Sequence, residues 1–86
     1  MRRTAVTYGQ LDRVLRSLGF SCRLVEEPPP VCVYDHKETG ASLMIPCFPA
    51  TDFVLDYHLV GARTISDLFG IAAPDVFDAQ LQKAAV

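Results

Sequence analysis

Two histidines (His36, His58), three cysteines (Cys22, Cys32, Cys47) and three late aspartates (Asp52, Asp56, Asp67) are the side chains here whose types suit chemistry. A histidine works as a general base when it is held near a reacting group, often by a carboxylate. His36 stands between Asp35 and Lys37, and His58 lies two residues after Asp56. Both are catalytic candidates on that ground. Their positions give each a plainer reading: His36 as a solvated residue at a hairpin end, His58 as a surface residue in the first turn of a helix. The cysteines are odd in number and none forms a Cys-x-x-Cys pair. Their spacing to the histidines matches no zinc module, so they read as small buried hydrophobes in a reducing compartment, with no metal expected. The three aspartates do not fall on one helix face, and helix capping accounts for Asp52 or Asp56. No Gly-x-Gly-x-x-Gly, Walker loop, His-Glu-x-x-His or Gly-x-Ser-x-Gly occurs, and no cofactor is expected.

The elements that must hold these residues follow from periodicity. Residues 7–18 read as a helix with a Thr7/Gln10 capping box and an apolar stripe of Tyr8, Leu11, Val14, Leu15 and Leu18. Gly19 supplies its left-handed end, and Phe20 folds back on Leu15. Residues 21–26 read as a first strand, closed by Glu26-Glu27 and the stiff run Pro28-Pro29-Pro30. Residues 31–36 alternate as a second strand, with Val31, Val33 and Asp35 on one face and Cys32, Tyr34 and His36 on the other. A hairpin loop over residues 37–40 leads to a third strand, 41–47. A second helix is expected from Asp56 to about Phe69. Its core stripe would be Leu59, Ala62, Ile65, Leu68 and Phe69, with Gly61 marking close packing and Gly70 ending it. Pro74 opens a short last helix. The sum is a two-layer α+β fold of order α-β-β-β-α, with a three-stranded antiparallel sheet and a short extra C-terminal helix. Both main helices would cover one sheet face. The other face keeps several apolar side chains, which points to a dimer or a protein partner.

Eighty-six residues form one domain, 1–86. Half the residues are hydrophobic and the net charge is −2, which excludes a disordered tail and a strongly basic nucleic-acid binder. A local basic patch remains open: Arg2, Arg3, Arg13, Arg16, Arg23 and Lys37 are the candidate nucleic-acid contacts. Thr4, Thr7, Gly9 and Gln10 interrupt any apolar run after Arg2-Arg3, so no signal peptide is expected. No stretch approaches the roughly 20 apolar residues of a membrane span. The expected location is cytoplasmic.

Four short motifs occur in a suggestive order: Leu18-Gly19-Phe20, Val31-Cys32-Val33-Tyr34, Met44-Ile45-Pro46, and Phe69-Gly70-Ile71 followed by Val76-Phe77. Their order and spacing over residues 7–78 resemble the HicA family of toxin–antitoxin ribonucleases, which fold like the double-stranded RNA-binding domain. The resemblance implies mRNA cleavage and a HicB-like antitoxin partner. It also implies a catalytic histidine in a Gly-Ser-His motif opening the second strand. Here that stretch reads Pro29-Pro30-Val31, and Cys47-Phe48 follows Pro46 where the family often continues with a basic residue and a histidine. Proline and valine cannot transfer a proton, and Glu26-Glu27 weakens any phosphate groove beside them. No family role passes to His36 or His58. The expectation is a HicA-like protein without ribonuclease activity that binds an antitoxin-like partner, itself or structured RNA. The alternatives are an active RNA-cleaving toxin using His36 or His58, and an unrelated structural dimerisation module.

Overall fold

Thr7 ends one element and starts the next. In a computed structural model that describes residues 2–84, its hydroxyl accepts the Gln10 N–H at 3.2 Å, and its own N–H donates to Gln10 Oε1 at 2.9 Å. This capping box opens helix α1 (Tyr8–Ser17) directly from strand β1 (Arg3–Thr7). Tyr8, Leu11, Val14 and Leu15 are the buried face of α1. Gly19, at φ +100°, ends it and starts β2 (Phe20–Val25). The chain bends through residues 27–29 and enters β3 (Val31–His36), then β4 (Ala41–Pro46). After β5 (Phe53–Leu55) come helices α2 (Asp56–Leu68) and α3 (Pro74–Ala84).

The expected two-layer α+β design is present. Strands β2, β3 and β4 form an antiparallel sheet in that order, with Cys22 opposite Tyr34 and Cys32 opposite Ile45. The helices cover the face that carries Phe20, Tyr34, Ala41 and Ile45, and these join Leu11, Leu15, Val54, Ala62, Phe77 and Leu81 in one core. Burying a side chain of that size stabilises the fold by about 1.5–3 kcal/mol. No helix among the described residues is long and apolar enough to cross a membrane.

Three local readings need correction. First, β1 and β5 pair as a separate two-stranded antiparallel ribbon, Arg3 opposite Leu55 and Thr7 opposite Phe53. Such short segments carry little periodicity, and their pairing comes from the chain returning beside the start of α1. Second, neither Asp52 nor Asp56 caps α2: its N-cap is Leu55, with no side-chain hydrogen bond, and Asp56 sits in the first turn. Third, the α2 stripe holds in part: Ala62 is buried and Leu59 and Ile65 pack against the core, but Leu68 is 73% exposed, Phe69 is exposed too, and His58 and Ser66 are buried instead. Gly61 is not a close-packing point, because a Cβ there would meet nothing within 4 Å. The uncovered sheet face carries several apolar side chains, as expected: Val25, Val31, Val33 and Met44, with the charged Arg23 and Asp35 among them. Val33 is buried on it between Arg23 and Met44, but Arg23 pairs with Asp35 at 3.5 Å and Ser42 also bonds Asp35.

Candidate functional site

The three backbone segments that meet at the start of α1 build a cleft. The first turn of a helix has N–H groups without intrahelical partners. Here the Tyr8 N–H donates to the Asp52 carbonyl at 2.9 Å and the Gly9 N–H to the Ala50 carbonyl at 3.0 Å. Those bonds dock residues 50–52 onto the helix end. Gly9 permits the approach, since a Cβ there would lie 3.2 Å from the Ala50 oxygen. Between this docked segment, α1 and the ends of β3 and β4 lies a cleft of about 190 Å³. Ile45, Pro46, Phe48 and Leu11 give it apolar walls, and Asp12, Tyr34 and Cys32 add the polar groups.

Phe48 is placed by stacking on Tyr8, with ring centroids 4.6 Å apart and planes 7° from parallel. The Arg3 guanidinium carbon lies 5.7 Å from the Phe48 centroid, while Arg3 Nη1 donates to the Phe53 carbonyl. Deeper in, the Tyr34 hydroxyl donates to Asp12 Oδ1 at 2.7 Å, and Arg16 Nε holds the same carboxylate from the solvent side at 3.0 Å. Burial, reinforced by that bond to Asp12, raises the Tyr34 phenol well above the usual range, so it remains a donor.

Both histidines are buried at 7% exposure, which corrects the expectation of solvated positions. They lie in different places and do different things. His36 Nε2 donates to the Leu18 carbonyl at 3.0 Å, and its Nδ1 meets the Thr39 hydroxyl at 2.9 Å. Its ring therefore ties the end of α1 to the β3–β4 turn, with Phe20 edge-on against it. Both nitrogens are engaged, although the ring lines a groove with Lys37 and Glu38. His58 Nδ1 lies 2.8 Å from the Tyr8 hydroxyl, which also accepts the Leu55 N–H at 3.2 Å. The phenol proton is then best used toward Nδ1, leaving the His58 proton on Nε2. Every fully buried side-chain N or O among the described residues has a partner, so that Nε2 edge reaches solvent. Burial and then the Arg3 charge lower the His58 pKa from its ordinary value.

The six candidate cations do not converge. Arg16 pairs with Asp12 on α1, and Arg23 pairs with Asp35 on the far sheet face. Arg13 faces the α3 end near Lys83, Lys37 lies in the β3–β4 turn, and Arg2 and Arg3 belong to the β1 edge. The cysteines are not uniformly buried either: Cys22 and Cys32 are half-buried and Cys47 is exposed. No three His, Cys, Asp or Glu side chains among the described residues come close enough to hold a metal ion.

The cleft residues Tyr8, Asp12, Tyr34 and Phe48 did not stand out as site residues in the sequence. Strand parity put Tyr34 on the same face as Cys32, and Asp12 follows one turn after Tyr8, bordering the apolar stripe. Phe48 carried no signal, because its place depends on the docked loop. Comparison with protein-family models, with curated proteins and with solved structures returns no match to this chain.

Proposed function

We propose that this chain is a HicA-like domain without ribonuclease chemistry, which acts by binding a protein through the cleft beside α1. The observation that carries the reading is the mouth of β3. Pro30 and Val31 stand where the family's imidazole is expected, and His36 is at the opposite end of the same strand, about 17 Å away at the usual strand rise. Its two ring nitrogens are already engaged. RNA is the weaker partner class, because the cations are spread over several faces and two of them are paired with carboxylates. A small, largely apolar cleft with one tyrosine–carboxylate pair suits an apolar side chain presented by a protein. An antitoxin-like product of the adjacent reading frame is the partner to try. Co-expressed wild-type protein should co-purify with it, and Pro46→Arg, at an exposed cleft wall, should lose it. Equal recovery of both overturns the cleft as the binding surface.

A second reading has one observation in its favour. The solvent-facing Nε2 edge of His58 and the nearby Arg3 are an acid–base group and a cation of the kind phosphodiester cleavage uses. RNA cleavage that disappears in His58→Ala is the outcome that belongs to this reading.

A further inference from the structure

Cys32 and Cys47 bring their Sγ atoms to 3.4 Å. The placement follows from the sheet. The Cys47 N–H donates to the Pro30 carbonyl at 3.1 Å, which keeps Cys47 in register one step past β4. Cys32 is two residues further along β3, on the same helix-facing side as Ile45. The thiols are therefore diagonal neighbours. Cys47 is exposed, whereas Cys32 is half-buried and lines the cleft. Cys47 also adjoins Phe48, the cleft wall stacked on Tyr8.

We propose that Cys32 and Cys47 form a reversible, peroxide-driven disulfide that fixes the outer wall of the cleft. Hydrogen peroxide is the oxidant. The exposed Cys47 thiolate attacks one peroxide oxygen, the O–O bond breaks, and hydroxide leaves to become water. Cys47 is now a sulfenic acid. The Cys32 sulfur attacks the Cys47 sulfur, the S–O bond breaks, and the departing hydroxide takes the Cys32 proton as a second water. Two thiols and one peroxide thus give one disulfide and two waters. The sulfurs must approach by roughly 1.4 Å to reach bonding distance. Cys47 lies just outside β4, in residues 47–49 that belong to no strand, so the shift falls on irregular backbone. Burial, with Cys47 beside it, raises the Cys32 pKa well above the ordinary thiol value, which keeps Cys32 protonated and leaves the first attack to Cys47.

The bond would join the segment that carries Phe48 to the middle strand, so an occupant that needs the wall to move is refused. That consequence rests on the binding reading, while the covalent step does not. The test is hydrogen peroxide treatment of the full chain, followed by intact mass and peptide mapping. The expected result is a mass lower by two hydrogen atoms, a Cys32–Cys47 linked peptide, and reversal by dithiothreitol. Cys22→Ala should react as wild type does. Cys32→Ala should instead give a Cys47 sulfenic acid trapped by dimedone, with no linked peptide. Amide exchange over residues 47–52 should slow severalfold on oxidation. A Cys22–Cys32 link, a Cys47-linked dimer, or over-oxidised Cys47 beside an untouched Cys32 each overturns the proposal. A correct link with unaltered partner recovery leaves the disulfide standing and counts against the cleft as the binding site.

Discussion

Tyr8 and His58 are fifty residues apart and share one hydrogen bond, 2.8 Å from phenol to Nδ1. The bond fastens the first residue of α1 to the first turn of α2, and the Leu55 N–H adds a second link to the same oxygen. Tyr8→Phe keeps the ring on Phe48 but leaves Nδ1 and the Leu55 N–H without this partner. The expected loss of stability is about 1–3 kcal/mol, read as a lower midpoint in urea unfolding.

The same contact sets a pH dependence. His58 has its folded-state pKa lowered from 6.5, first by burial and then by Arg3. Between the folded value and the ordinary one the unfolded chain binds more protons, so stability rises with pH there. The contribution is intact above pH 6.5 and is lost as pH falls through that window. Melting temperature measured from neutral pH downward should therefore drop on entering the window. His58→Asn, which keeps an acceptor for the Tyr8 hydroxyl, should flatten the drop relative to wild type.

His36 and Gly19 should behave as a coupled pair. A Cβ on Gly19 would lie 3.0 Å from His36 Nε2, and the residue sits at φ +100°. Gly19→Ala should cost more than about 1 kcal/mol from backbone strain alone. His36→Ala removes the ring that bonds Leu18 and Thr39 and should cost about 2–4 kcal/mol. In a double-mutant cycle the double variant should lose less than the sum of the two single losses, because removing the ring also removes the clash. Strict additivity in chemical unfolding would contradict this account of Gly19.

Gly61 should respond in the opposite direction. It lies inside α2 with an ordinary negative φ and open space where a Cβ would go. Gly61→Ala should stabilise the isolated protein by roughly 0.5–1 kcal/mol, read as a higher melting temperature. A loss of stability that grows with protein concentration would instead place Gly61 in a contact between copies.

How far the sequence reached is clearest at particular residues. The Thr7/Gln10 box, Gly19 and Gly70 at the helix ends, and the shared face of Cys32, Tyr34 and His36 are all local effects, and each was legible. The β1–β5 ribbon was not, because three residues such as 53–55 become a strand only when residues 3–7 lie beside them. His36 and His58 were misjudged for a related reason. Their burial is imposed by Leu18, Phe20 and Tyr8, from elements distant in sequence. The cleft depends on a loop held by two helix-end N–H groups, and such docking leaves no periodicity to read.

The most direct test of the central claim is incubation of the purified chain with structured RNA, reading cleavage by gel and binding over a salt series. The RNA should remain uncut and show no salt-dependent binding, unchanged by His36→Ala or His58→Ala, because Pro30 and Val31 occupy the entry to β3. Cleavage abolished by either histidine substitution would contradict that claim.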